Sequence, residues 1–274
     1  MKYVDISNGR FYNEDLFDAI RELPDHCVDM ILCDLPYGTT ACKWDSIIPF
    51  EPLWGEIGRV CKNSAPVVLT ASEPFTSLLV TSNIKEFKHR WIWDKVKPAS
   101  GLNAKNSPLR VSEDVLVFCK EKPIYNPIMV PKKHRAEKKC DSNGEAFGGA
   151  RVERFHDNGG MGYPKDILTI SNADQRNRLH PTQKPVALFE YLIKTYTNEG
   201  DLVLDNCAGS GTTAIAAENT GRKWVCIEQS EEYATKAVER ILNHEIPPQE
   251  KEKQPSEVKI DSNIPMPEGE EDGN

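Results

Sequence analysis

Apolar positions in this chain gather into short continuous runs, with amphipathic stretches between them. Residues 28–33, 65–71, 87–94, 113–119, 201–205 and 224–228 have the length and character of strands, several of them buried. Residues 11–23 read as a strand end, a turn and an amphipathic helix. Residues 50–61 carry Leu53, Trp54, Ile57 and Val60 at helical spacing, which predicts a helix with those four side chains in the core. Further helices are predicted from Pro74 to Thr81, from Pro185 to Tyr196 and up to Asn219; Pro185 suits a first helical turn. Strands alternating with helices predict an α/β fold with a doubly wound, mostly parallel sheet. Two stretches break the rhythm. Residues 95–111 are polar and basic and read as a loop. Residues 120–178 have few apolar periods and many Gly and Asn, which suits a functional insertion.

Composition narrows the setting. The chain has 274 residues, ample for a sizeable core. No apolar run approaches membrane-spanning length and the N-terminus lacks an apolar signal core, so a cytoplasmic protein is expected. The eight cysteines form no Cys-x-x-Cys pair, which favours reduced, mostly buried thiols over disulfides or a metal site. The net charge of −8 argues against a polyanion partner until its distribution is considered. Residues 245–274 hold nine acidic and three basic residues, so the remaining body is close to −2. Residues 85–110 hold seven basic and two acidic residues, and residues 120–154 hold nine and five. Such a body can present a basic face to a nucleic acid, although charge alone favours an ordinary solvated surface. The Pro- and Glu-rich end has the composition of a disordered tail.

Two strand ends carry the candidate chemistry. The first is Ile31-Leu-Cys-Asp-Leu-Pro-Tyr-Gly38. Pro36 cannot donate to a sheet and Leu35, preceding it, is pushed to extended geometry, so the strand must stop there. That places Asp34, the Leu35 carbonyl and Tyr37 at the carboxyl edge of a sheet, where ligands bind in open α/β folds. Two acceptors, the Asp34 carboxylate and the Leu35 carbonyl, can take both hydrogens of a nucleobase amino group and localise its lone pair, while Tyr37 stacks on the ring. The following residues 39–46, with Trp44, form a loop able to close over such a base. The second strand end is Asp205-Asn-Cys-Ala-Gly-Ser-Gly-Thr-Thr213, a glycine-rich turn into a helix. Helix N-termini offer free N–H groups and partial positive charge to a carboxylate or phosphate. Glu228 ends the next strand 23 positions after Asp205, a spacing that suits a ribose-binding carboxylate.

Asp34-Leu-Pro-Tyr37 resembles the Asp-Pro-Pro-Tyr motif of S-adenosylmethionine-dependent DNA amino-methyltransferases, with Leu35 in place of the usual proline. The substrate motif precedes the cofactor motif by about 170 residues, an order that resembles the permuted beta class. Trp91-Ile-Trp-Asp-Lys, Asn103-Ala-Lys-Asn and Pro108-Leu-Arg resemble phage-type adenine-N6 enzymes. The resemblance implies a circularly permuted Rossmann-like methyltransferase fold with an inserted recognition region. Its expected parts are a catalytic half at 1–119, a DNA target-recognition insertion at 120–178, a cofactor half at 179–244 and an acidic tail at 245–274. It implies S-adenosylmethionine held by Asp15, Lys184, Asp205, Ala208, Gly209, Ser210, Gly211, Thr212 and Glu228, with catalysis at Asp34, Leu35, Pro36 and Tyr37. Asp15 equally suits helix capping. DNA contacts are expected from Asn103, Lys105, Arg110, Lys132, Lys133 and Arg135; for Arg110 an ion pair with Glu113 or Asp114 is the rival. Expected partners are double-stranded DNA, a second copy of the chain and a cognate restriction endonuclease, in a bacterial or phage-infected cell. Asp34, rather than Ser or Asn, favours adenine N6 over cytosine N4. The Leu35 departure keeps open a DNA-binding protein with a vestigial site.

Overall fold

The computed structural model describes residues 2–40, 42, 45–99, 104–131, 160–172 and 183–245. Its strands are β1 (Tyr3–Ile6), β2 (Gly9–Tyr12), β3 (Met30–Cys33), β4 (Val67–Ala71), β5 (Phe87–Ala99), β6 (Arg110–Phe118), β7 (Val130–Pro131), β8 (Met161–Gly162), β9 (Ile167–Thr169), β10 (Leu202–Asp205) and β11 (Lys223–Ile227). Its helices are α1 (Leu16–Arg21), α2 (Phe50–Val60), α3 (Phe75–Ser82), α4 (Val186–Tyr196), α5 (Thr212–Asn219) and α6 (Glu231–Leu242). Nine strands form one sheet in the order β1-β2-β11-β10-β3-β4-β6-β5-β9. From β2 to β4 every neighbouring pair is parallel; β6 runs against both β4 and β5, and β1 runs against β2.

Alternating side chains divide the core into two layers. Met30, Leu32, Val203, Trp224 and Cys226 join Leu188, Leu192, Ala214 and Ile241, from α4, α5 and α6, on one face. Ile31, Cys33, Leu204, Val225 and Ile227 join Ile20, Leu53, Ile57 and Leu79, from α1, α2 and α3, on the other. The continuous apolar runs are therefore apolar because both faces of the sheet are covered. Trp54 is only partly buried, packed against this second layer. Its indole donates to Ser82 at 2.8 Å, so it serves as a helix-to-helix strut more than as core filling.

The expected loop over residues 95–111 is shorter than the polarity suggested. β5 continues to Ala99 and β6 begins at Arg110, with a register break between Asp94 and Ala99. The strand survives its polar residues because Lys95 turns inward and pairs with Glu113 across the two strands at 3.0 Å. The interval 120–178 contributes β9, which pairs with β5 inside the main sheet, and β7 and β8, which form a separate two-stranded ribbon. The acidic segment beyond residue 245 lies outside the described residues. So does Cys140; the seven described cysteines are all free thiols.

One glycine is required by close approach. Gly9 lies beside Trp224 in register, and a Cβ there would fall 2.1 Å from the indole. The indole cannot retreat, because it is fully buried and its N–H donates to Glu218 at 2.8 Å. Gly9→Ala is therefore expected to destabilise the fold by about 1–3 kcal/mol, the usual cost of overpacking. Urea unfolding of the variant checks this; an unchanged midpoint would refute the close contact.

Candidate active site

Strands β3 and β10 lie side by side and parallel at the centre of the sheet. From β3 the chain continues through α2 to β4 on one side; from β10 it continues through α5 to β11 on the other. This is the point where the winding reverses, and such a point opens a crevice at the carboxyl ends of the strands. Asp34 follows β3 directly and Asp205 ends β10. Both line a single cleft of about 600 Å³ together with Tyr37, Lys184, the Ala208–Thr212 turn and Glu228. That is the size of a small-molecule site.

On the β3 side, Asp34 is the centre of a polar cluster. The Tyr37 hydroxyl lies 2.8 Å from Asp34 Oδ1 and 3.1 Å from Thr70 Oγ1, and the Thr70 hydroxyl also donates to Asp34. Lys184 Nζ donates to Asp34 Oδ2 at 2.7 Å and sits 3.4 Å from Glu113 Oε2. Lys95 completes the chain of charges on Glu113. Burial works against the Lys184 ammonium, but Asp34 and Glu113 together raise its pKa above the ordinary lysine value. Burial likewise pushes the Tyr37 phenol up, reinforced by Asp34. The Tyr37 ring stacks on Phe75, with centroids 5.2 Å apart and planes 22° apart. Leu35, the departure from the Asp-Pro-Pro-Tyr pattern, buries its side chain in the core layer beneath the turn. The loop after Tyr37 is tied down by Asp45, whose carboxylate accepts the backbone N–H groups of Gly38, Thr39 and Thr40 at 2.8, 2.9 and 2.6 Å. Trp44 lies outside the described residues.

On the β10 side, Gly211 has φ of +73°, and a Cβ there would come within 3.0 Å of Ile241 on α6. Arg240 braces the turn by donating to the Ser210 carbonyl at 2.9 Å and to Thr212 Oγ1 at 3.2 Å. Asp205 accepts from the Cys207 N–H at 3.0 Å and from the Thr213 hydroxyl. Burial raises its pKa to about 6, despite those donors. Glu228 accepts from the N–H groups of Gly209 at 2.9 Å and Ser230 at 2.8 Å, which leaves carboxylate lone pairs facing the cleft. Burial raises its pKa as well. Asp15 caps α1 by accepting from Phe17 N at 2.8 Å and also lines the cleft. Asn13 ties the end of β2 to that of β11, donating to the Glu228 carbonyl at 2.9 Å.

Asn206 is the feature the sequence reading missed here. It is 2% exposed and lines the cleft, yet neither its Oδ1 nor its Nδ2 has a hydrogen-bond partner among the described residues. A buried amide left this way costs about 1–3 kcal/mol, so the site is built for a polar occupant. Two acidic side chains, a helix N-terminus and an orphaned amide form a donor and acceptor set that fits the ammonium, carboxylate and ribose of S-adenosylmethionine. Thr70, Lys95, Glu113 and Arg240 were also missed. Thr70 left one signal, as the only polar residue in an otherwise apolar strand run.

The expected DNA-contacting residues divide. Lys105 and Arg110 are exposed, and Arg110 donates to Ser72 Oγ at 3.2 Å instead of pairing with Glu113 or Asp114. Asp114 pairs with Arg90 at 3.5 Å. Asn103, Lys132, Lys133 and Arg135 lie outside the described residues. No helix among the described residues is long and apolar enough to cross a membrane.

Comparison with known proteins agrees with this geometry. Over 256 residues the chain is 28% identical to the DNA adenine methyltransferase YhdJ of Escherichia coli (strain K12), spanning 85% of this chain and 84% of that one. It is 27% identical to the type II methyltransferase M.BglII of Bacillus subtilis over 82% of this chain, which spans 66% of that longer relative. Among solved structures, the cytosine-N4-specific PvuII DNA methyltransferase matches with a TM-score of 0.62 at 18% identity, covering 88% of each chain. The M1.HpyAVI–SAM complex matches with a TM-score of 0.58 at 24% identity, covering 86% of this chain and all of that one. These two likenesses show the fold. A DNA methylase family model, that of the N6 and N4 methyltransferases, matches residues 28–239, and the chain belongs to that family.

Proposed function

We propose that this protein transfers a methyl group from S-adenosylmethionine to the N6 amino group of an adenine flipped out of double-stranded DNA. The observation that carries the reading is the single cleft at the β3–β10 switch point, which joins Asp34-Leu-Pro-Tyr37 to the glycine-rich turn at Asp205. In this reading Asp205 takes the cofactor ammonium, the Ala208–Thr212 turn its carboxylate and Glu228 its ribose hydroxyls, with Asp15 near its adenine. The bound cofactor supplies an electrophilic methyl carbon. The protein's part is to hold the target amine against Asp34 and the Leu35 carbonyl, with the base on the face of Tyr37 opposite Phe75. Residues 120–178 read the DNA sequence, and Lys105 and Arg110 contact it beside the cleft. The order of the two motifs supports the permuted beta class. Expression in cells lacking DNA methylation, followed by digestion of the DNA to nucleosides, tests the reaction. N6-methyl-2′-deoxyadenosine is expected; N4-methyl-2′-deoxycytidine would replace the adenine reading, and no modified nucleoside would return the vestigial-site reading.

The cofactor assignment has its own test. Calorimetry with S-adenosylhomocysteine should show about 10–10²-fold weaker binding for Glu228→Ala, since hydrogen bonds to a charged group are worth about 1.5–3 kcal/mol. Asn206→Ala should bind more weakly while the ligand-free protein melts no lower than wild type, because the variant removes a buried amide that has no partner among the described residues. Unchanged affinity in both variants would overturn the assignment.

A further inference from the structure

The ammonium on Asp34 needs an account beyond charge compensation. Lys184 precedes α4, and its side chain reaches the acceptor of the target amine. Its Nζ lies 2.7 Å from Asp34 Oδ2 and 5.5 Å from the centre of the Tyr37 ring, the surface on which the base is proposed to rest. Lys184 is only 7% exposed. A lysine carries three N–H donors. Asp34 takes one by hydrogen bond, Glu113 adds an ion pair at 3.4 Å, and no other protein acceptor meets Lys184 among the described residues. An acceptor and a free donor therefore stand side by side at the edge of the base platform.

We infer that Lys184 reads the edge of the flipped base, donating to the ring nitrogen next to the amine that Asp34 accepts, which is N1 if the target is adenine. This deepens the adenine reading and rests on it. Enzymes of this kind recognise an extruded base through hydrogen bonds to its pairing edge. Adenine and cytosine both present an amine beside an unprotonated ring nitrogen, matching the carboxylate and ammonium in order. Guanine presents its amine beside an N–H, which would face the ammonium donor to donor. Thymine reverses the order altogether, setting a carbonyl against Asp34 and an N–H against Lys184. Read at the pairing edge, the pair thus accepts adenine and cytosine and rejects guanine and thymine through unpaired buried groups, the strongest form of rejection available to a polar site.

The test uses the full-length protein, S-adenosylmethionine and a synthetic duplex carrying the sequence found methylated in DNA from expressing cells. Nucleoside digestion first identifies the methylated base. If it is adenine, single-turnover rates are compared on duplexes with adenine or 1-deazaadenine at the target. If it is cytosine, the adenine reading fails separately, and 3-deazacytosine takes the analogue's place. Replacing N1 by C–H makes the amine more electron-rich, so a slower reaction cannot originate in the amine. Wild type should be roughly 10–10²-fold slower on the analogue, as expected for a lost hydrogen bond to a charged donor. Lys184→Met should be slow on both, with a ratio near one. A lysine that only compensates Asp34 would slow both substrates while leaving the wild-type ratio near one, and that result overturns the proposal. A preserved ratio in Lys184→Met overturns it equally. Should Lys184→Met fail to bind S-adenosylhomocysteine, the wild-type ratio decides: tenfold or more supports the proposal, and near one refutes it.

Discussion

Asp34→Ala is expected to lower the single-turnover methylation rate by about 10²–10³-fold, the usual loss when one preorganised group facing developing charge is removed. The amine becomes cationic as it attacks, and Asp34 is the anion placed against it. The structure shows how firmly that anion is placed. Thr70, Tyr37 and Lys184 each hydrogen-bond it, so its oxygens have little freedom to turn away from the cleft. Asp34→Asn keeps an acceptor but no charge, and should retain more activity than Asp34→Ala and less than wild type. Cofactor binding should survive in both, because the turn after β10 is braced separately by Arg240. Leu35→Pro should keep its turnover, since the carbonyl remains. It should lose some stability, since the Leu35 side chain is buried in the layer below. Calorimetry with S-adenosylhomocysteine controls for folding in each variant. Full activity in Asp34→Ala would sink the mechanism.

The two strand ends were legible because their signals are local. Pro36 stops β3 and Gly211 opens α5, and neither inference needs to know what lies nearby in space. The alternation of strand and helix was legible for the same reason, and it predicted a doubly wound sheet. What local pattern cannot convey is strand order. Nothing in residues 28–33 or 201–205 says that the two runs are neighbours, although that adjacency makes one cleft from two motifs. The charge cluster was hidden for a related reason. Lys184 and Asp34 are 150 positions apart, and Lys95 sits in a stretch whose polarity reads as loop. Lys184 stood out in sequence only as one of the expected cofactor contacts. Its backbone carbonyl does lie 3.4 Å from Thr212 in the cofactor turn, while its ammonium reaches the other half of the site. Asn206 was overlooked because a polar residue beside a glycine-rich turn is unremarkable until its burial and lack of partners are known.

Glu113→Ala is expected to cost about 3–5 kcal/mol of stability at neutral pH, the range for breaking a buried charge cluster from one side. Lys95 and Lys184 are 5% and 7% exposed, and with Glu113 gone only Asp34 would remain to balance them. Burial alone would raise the Glu113 pKa, but Lys184 and Lys95 outweigh it and hold the carboxyl below its ordinary value of 4.5. A carboxylate with a depressed folded pKa binds fewer protons in the folded than in the unfolded chain. Its stabilisation is therefore complete above about pH 4.5 and fades as pH falls through the folded value. Urea unfolding of wild type and Glu113→Gln should accordingly show a gap at pH 7 that narrows below pH 4.5. A compensating pair separates charge from packing. Lys95→Met with Glu113→Leu replaces one buried ion pair by apolar groups of similar size, an exchange that is often neutral or stabilising. The double variant should recover most of the stability lost in Glu113→Ala, since Asp34 and Lys184 then balance each other alone. If Glu113→Ala unfolds at the wild-type urea concentration at pH 7, the four charges are not coupled through Glu113 in solution.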